Sequence, residues 1–283
     1  MADNKPSNLI ELTHKNDSVL SQLFPAKTLS EVQAELKNKI WRGTPIYVNS
    51  IDEHNQDKVG IFVQKSFDQN KSKDQVYALA QAKLNQALRC ALLEVIRDYK
   101  PSTDDPDALL VTTPSQLAEA FIGNTIADNA SINWRWIDKA TQDNGPYLIY
   151  MDICLTLSTM SDNMQASIYD VAQHTTLFVP LTAIPYLTAS NSSSSSALDM
   201  LHSAFSELKV VVDQDITHID DTFALFVCDD PAYGKPGYLA LKEAAKLSSP
   251  DDGYNAAIRY DLTIPAHKLV ITNPEQIAIL TGI

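Results

Sequence analysis

The sequence predicts an α+β fold, and three observations carry that prediction. One long helical repeat runs through "SKDQVYALAQAKLNQALRCALLEVIRDYKP", and short strand-like and helix-like runs alternate through the C-terminal half. The regular βαβα rhythm of a doubly wound sheet is missing. With 283 residues, 45% of them hydrophobic and 20% charged, the chain has enough apolar matter for one large domain or two ordinary ones.

Composition narrows the class further. Asp and Glu number 35 against 22 Lys and Arg, and no basic run interrupts the acidity, so a dedicated nucleic-acid-binding surface is disfavoured. A protein that only encloses nucleic acid is compatible with that balance. The opening "MADNKPSNLIELTHKND" has no apolar signal core, and no stretch approaches about 18 uninterrupted apolar residues, so neither secretion nor a membrane span is expected. The expected location is the cytoplasm or a particle assembled there. Cys90, Cys154 and Cys228 are far apart and flanked by apolar residues, the pattern of buried thiols in a reducing compartment.

In chain order, residues 1 to 25 are polar with scattered apolar positions and are expected to form a mobile or docking arm. In "TLSEVQAELKNKI", Thr28 and Glu31 fit a capping box, and Leu29, Val32, Leu36 and Ile40 recur at helical spacing. Two alternating bursts, Ile46/Val48 and Val59/Ile61/Val63, flank the polar "DEHNQDK" and predict a β-hairpin with a long connection. The long helix follows. Ser72 and Gln75 offer its cap, positions from Val76 through Leu84 and Leu92 to Tyr99 trace its apolar face, and Pro101 stops it.

"KPSTDDPD" carries turn signals and marks an internal boundary, after which "TTPSQLAEAFIG" predicts a helix capped by Thr113 and ended by Gly123. "YLIYMDICLTLSTM" fits a helix through Tyr150, Ile153, Leu157 and Met160, although its continuous apolar character also suits a buried strand. Beyond it, strands are predicted at "TTLFVPL", "KVVVD", "TFALFVC", "AAIRYDL" and "KLVITNPEQIAIL". Helices are predicted at "SALDMLHSAFSEL", with Ser195 or Ser196 as its cap and Leu198, Leu201, Phe205 and Leu208 as its apolar face, and at "YLALKEAAKL".

Motifs with a built-in mechanism are absent: there is no GxGxxG, GxxxxGKS/T, GxSxG, HExxH or CxxC. Four Asp pairs, Asp104-Asp105, Asp220-Asp221, Asp229-Asp230 and Asp251-Asp252, sit mostly beside Pro or Gly and suit turns, because short carboxylates bond the local backbone. His218, Asp220 and Asp221 in "THIDD" are the sharpest metal-like group, but one His and two carboxylates leave a shell incomplete, so a hairpin turn between two strands is the expectation. His14, His54, His174, His202, His218 and His267 share no ligand spacing. "YGKPGY" reads as a flexible surface turn. No catalytic, cofactor-binding or metal-ligating residue is therefore assigned, and no cofactor is implied.

The order of elements from Tyr150 onward resembles the C-terminal half of one group of tailed-bacteriophage major capsid proteins. The carriers are "YMDICLTLSTM", the strand-Pro-x-x-Tyr-Leu run "TTLFVPLTAIPYL", the Ser-rich entry "NSSSSSALDMLHSAF", "FALFVCDDPAY" and the closing "KLVITNPEQIAILTGI". "YLALKEAAKL" departs from that pattern by reading as a helix where the family has extended chain. The resemblance implies a phage major-capsid-type fold in four parts. These are an N-terminal arm and short helix over residues 1–44, an extended β-hairpin loop over 45–71, a long spine helix with a peripheral domain over 72–145, and an axial domain over 146–283 whose final strands return to the peripheral domain.

It further implies a structural subunit, not an enzyme, that self-assembles through hexamers and pentamers into an icosahedral shell. Such a shell encloses DNA without sequence-specific binding, and scaffold and portal proteins are its further partners. No membrane is involved; the location is the virion, assembled in the host cytoplasm. Two other readings stay open at this point: a cytoplasmic hydrolase-like α+β enzyme whose site is built from dispersed His and Asp, and another phage structural subunit such as a tail-tube protein.

Overall fold

The computed structural model describes residues 10–12, 19–37, 57–63, 73–97, 136–190, 195–219, 223–247, 258–281 and 283. The helix expected at 113–123, the boundary at "KPSTDDPD", the burst Ile46/Val48, the cap Ser72 and the stop Pro101 lie outside them.

The N-terminal part supplies β1 (Ile10–Leu12), α1 (Val19–Leu23), β2 (Ala26–Thr28) and α2 (Leu29–Lys37). Leu20, Leu23 and Phe24 are fully or nearly fully buried, so the end of the expected arm docks into a core. The capping box of α2 forms as its sequence predicts. The Thr28 backbone N–H donates to Glu31 Oε2 at 2.8 Å, and Glu31 N–H donates back to Thr28 Oγ1 at 3.4 Å. Strand β3 (Asp57–Val63) precedes the long helix α3 (Lys73–Arg97), whose 25 residues follow the predicted repeat. Ala80, Leu84, Ala91, Leu92, Leu93 and Ile96 are its buried positions.

Two helices open the C-terminal part, α4 (Trp136–Ala140) and α5 (Gly145–Met164). Gly145 is required where they meet, since a Cβ there would collide with the carbonyl oxygen of Lys139. The sequence "YLIYMDICLTLSTM" is thus helix, and Gln165 ends it in a left-handed conformation (φ 52°). Helix α6 (Ile168–His174) leads into β4 (Thr175–Val179), then α7 (Ile184–Thr188) and α8 (Ala197–Ala204). Ser196 caps α8 in a complete capping box with Asp199, and Phe205 and Leu208 bury just beyond the end of α8. Strand β5 (Lys209–Val212), α9 (Gln214–Ile219), β6 (Phe223–Cys228), β7 (Gly237–Leu241), β8 (Lys246–Leu247), β9 (Ile258–Ile264), β10 (His267–Ile271) and β11 (Ile277–Thr281) complete the order.

A five-stranded mixed sheet, β1-β5-β4-β6-β11, is the central layer. Its strands alternate with period two, and both faces are covered. Leu177, Val179, Val210, Val212, Ala224, Phe226, Ala278 and Leu280 face α5 and its companions, whereas Phe178, Val211, Leu225, Val227 and Ile277 face α1 and the second half of α3. Helices α3 and α5 therefore lie on opposite sides of one sheet. Two smaller sheets, β10-β7-β2 and β3-β9-β8, extend the α3 side.

Four expectations are corrected or redirected. "YLALKEAAKL" is extended, forming β7 and β8: β7 lies between β10 and β2 with every residue buried, and that pairing overrides the helix propensity of Ala, Leu, Lys and Glu. "THIDD" is not a hairpin turn between neighbouring strands, because β6 lies on the far side of β4 from β5; the connection enters α9, with Asp213 Oδ1 accepting from Asp215 N–H at 2.9 Å. Among the described residues, the partner of β3 is β9, antiparallel from Asp57↔Ile264 to Val63↔Ile258. "YGKPGY" is not a flexible surface turn. Asn273 Nδ2 donates to the carbonyls of Tyr233 and Lys235, both at 2.9 Å, Thr272 Oγ1 donates to Lys235, and the Thr272 N–H donates to Pro236 at 2.9 Å. The connection between the last two strands thus clamps the loop.

Candidate functional site

The cysteines, histidines and aspartates singled out by the sequence sit on separate elements. Cys90 lies on α3, Cys154 on α5 and Cys228 on β6. Burial raises all three thiols above the ordinary range, Cys228 to about 11, which is the opposite of an activated thiolate. His174 Nδ1 contacts the Asp170 carbonyl at 2.9 Å and His267 Nδ1 the Pro265 carbonyl at 3.0 Å, while His202 lies in the last turn of α8. Asp230 Oδ1 accepts from Ala232 N–H at 2.8 Å, as the turn reading requires, and Asp229 pairs at 3.4 Å with Lys235. His14, His54, Asp104-Asp105, Asp220-Asp221 and Asp251-Asp252 lie outside the described residues. Among the described residues no group of three His, Cys, Asp or Glu stands where it would hold a metal ion.

Two buried polar groups escaped the sequence reading. In the first, Lys139 Nζ donates to Asp152 Oδ2 at 2.5 Å, and the Trp136 indole N–H reaches the same oxygen at 3.0 Å. In the second, Arg89 of α3 pairs with Asp215 of α9, and Gln86 Nε2 adds a bond to Asp215 Oδ1 at 3.3 Å. Burial raises the neighbouring Asp213 carboxyl above its ordinary range, a shift that the Arg89 charge opposes. Each group joins two helices. The signal for the first was a Trp-x-x-Lys turn beside an Asp in the apolar middle of a helix, which spacing alone cannot pair.

The open recess between α5 and α8, about 370 Å³, is lined by Tyr150, Ser195, Asp199, Met200, Ser203 and Ala204. Its only carboxylate, Asp199, already accepts from the Ser196 N–H at 3.2 Å and the Ser196 hydroxyl at 2.7 Å. The recess is a surface depression beside a helix cap, without a base or nucleophile poised in it.

What the surface does display is large apolar side chains. On the α5 side, Tyr147 and Leu155 of α5 are about half exposed and Tyr169 of α6 is 67% exposed. The Tyr147 and Tyr150 rings lie 6.1 Å apart, and the Tyr169 ring lies 5.8 Å from that of Phe205, tilted by 50°. On the α3 side, Tyr77 and Leu79 are 53% and 46% exposed. A helix as apolar as α5 on its outward positions is one that normally finds a second surface.

A crystal structure of a phage-related protein from Bordetella bronchiseptica RB50 is similar over 93% of this chain and 91% of that one, at 12% identity and a TM-score of 0.50. The chain has the fold of that phage-related protein. Also similar are the asymmetric unit of the bacteriophage PhiM1 mature capsid, over 82% of this chain and 72% of that one at 10% identity and a TM-score of 0.43, and the capsid of the cyanophage P-SCSP1u, over 86% and 79% at 8% identity and 0.42. No protein-family model matches the chain, and no curated protein does.

Proposed function

We propose that the chain is the structural subunit of an icosahedral phage-type shell, and that its activity is self-association rather than catalysis. The observation that carries this reading is the pairing of closed cores with large apolar side chains held outside them, on both outer layers of a chain that has the fold of a phage-related protein. Exposed Tyr and Leu in such numbers suit protein–protein contacts, where aromatic residues are enriched. Strand β7 adds support, because its extended chain removes the departure that "YLALKEAAKL" made from the capsid-like order of elements.

In this reading the partners are further copies of the chain, in hexamers and pentamers, together with scaffold and portal proteins. The net charge of −13 leaves a wall that packaged DNA does not adhere to. The location is the virion, after assembly in the host cytoplasm. In this reading residues 1–44 are the N-terminal arm and short helix, 45–71 the extended β-hairpin loop, 72–145 the spine helix and peripheral domain, and 146–283 the axial domain with its returning final strands.

Size exclusion with light scattering and negative-stain microscopy of the purified full chain test it. Closed shells or ring-shaped capsomers are the expected result. A chain that stays strictly monomeric at high concentration would overturn the proposal.

A further inference from the structure

Arg89, Asp213 and Asp215 meet where α3 packs on α9. Asp213 is fully buried, Asp215 nearly so, and most of the Arg89 side chain is covered. Arg89 pairs with Asp215, whose Oδ1 also accepts from Gln86 Nε2 at 3.3 Å. Asp213 ties the same junction to the central sheet. Its Oδ1 accepts from the Asp215 and Ile216 N–H groups at 2.9 and 3.4 Å, and its own N–H donates to the Val179 carbonyl of β4 at 2.9 Å. Asp213 Oδ2 and Arg89 Nε are buried without a hydrogen-bond partner.

The charges at this junction do not balance. Among the described side chains, its ionisable groups are Asp213, Asp215, Arg89 and, beside Arg89 on α3, Cys90. Burial raises the Cys90 thiol, so it adds no charge, and Lys83 and Glu94, whose charges reach Cys90, are exposed to solvent. Strand β4, helix α1 and residues 210–212 of β5 bring no ionisable side chain. Two buried carboxylates thus share one guanidinium. With both ionised, one negative charge is buried without a counter-ion, and a group so placed takes up a proton instead.

We infer that α3 and α9 form a proton-held clasp: the closed junction keeps one proton on Asp213, and local opening of the junction releases it to solvent. Thr217 extends the clasp, since its N–H donates to the Asp213 carbonyl at 3.3 Å and its hydroxyl accepts the Leu181 N–H at 2.7 Å. Asp213 titrates near its ordinary 3.8 when the junction is open and higher when it is closed, because burial outweighs the lowering by Arg89. Opening therefore becomes easier as pH rises from 3.8 to the raised value, by about tenfold per pH unit for one proton, and changes no further above it. The clasp belongs to the single chain and does not depend on the shell reading.

Hydrogen exchange of the purified full chain, read by mass spectrometry between pH 4 and pH 7, tests the clasp. Asp213→Asn is measured beside it at each pH, so that the intrinsic effect of pH on exchange cancels. Peptides of α9 and of α3 around Arg89 are expected to exchange faster than those of the buried strand β6, as local opening requires. In these peptides the ratio of the unaltered chain to Asp213→Asn is expected to climb with pH and then level off. A flat ratio, or α9 peptides that exchange no faster than those of β6, overturns the clasp. Should Asp213→Asn fail to fold, Asp215→Asn decides. It leaves Arg89 to Asp213 alone, one cation to one carboxylate, so the ratio to this variant should climb in the same direction, and a flat ratio again overturns the clasp.

Discussion

Asp152 on α5 holds the buried ammonium of Lys139 at 2.5 Å, and with the Trp136 indole on the same oxygen it pins α4 against α5. Lys139 is only 5% exposed, and that carboxylate is its ion-pair partner. Removing one partner of a buried pair strands the other. Asp152→Ala is therefore expected to lower the unfolding free energy by about 3–5 kcal/mol, whereas Lys139→Met combined with Asp152→Leu is expected to recover most of that loss. Urea denaturation of the three chains checks it; a double variant as unstable as Asp152→Ala would contradict the account.

Ser196 caps α8 through the Asp199 N–H at 3.1 Å, while Ser195 is exposed. Ser196→Ala should cost about 1 kcal/mol, the usual loss for a helix cap, and Ser195→Ala should cost almost nothing. Thermal melts followed by circular dichroism distinguish them, and equal midpoints would refute the assignment of the cap.

Leu155 and Leu157 stand two residues apart on α5 with opposite fates: Leu157 is fully buried and Leu155 is 48% exposed. Leu157→Ala should lose about 2–5 kcal/mol by leaving a cavity. Leu155→Ala should leave the isolated subunit within about 0.5 kcal/mol of the unaltered chain, as surface changes do. If both destabilise alike in urea, the outward placement of Leu155 is wrong.

The pKa of the Asp213 carboxyl is raised above its ordinary value of 3.8, first by burial and against the lowering effect of Arg89. The folded state then binds this proton more readily than the unfolded state. Its contribution to stability rises as pH falls through the raised pKa and levels off below about 3.8. Asp213→Asn keeps an acceptor for the Asp215 N–H but cannot titrate, so the unaltered chain should gain stability relative to it between pH 7 and pH 4. Parallel pH profiles of the two chains would show that Asp213 does not titrate in this window.

Much of the fold was legible because local rules and burial agree. The capping boxes at Thr28/Glu31 and Ser196/Asp199, the repeat of α3, and the buried strands Thr175–Val179 and Phe223–Cys228 all formed where their residue types required. Where the two disagreed, packing prevailed. Local propensity favours helix in "YLALKEAAKL", yet β10 and β2 hold it as a strand, and no rule of spacing announces partners that come from residues 26–28 and 267–271. The absence of mechanistic motifs was equally plain from the sequence, whereas the pairing of Lys139 with Asp152, and of Arg89 with Asp215, was not.

The sequence by itself determined the α+β class, most element types, the acidic balance and the order of elements that resembles a capsid subunit, because periodicity, caps and charge act over a few residues. Only the tertiary structure decided the order of strands in the sheets, the clamp on residues 233–236, and the placement of α3 and α5 on opposite sides of one sheet. Those features depend on which distant surfaces exclude water together, and hydrophobic burial is non-directional, so the pattern along the chain tells that a face is buried without telling what buries it.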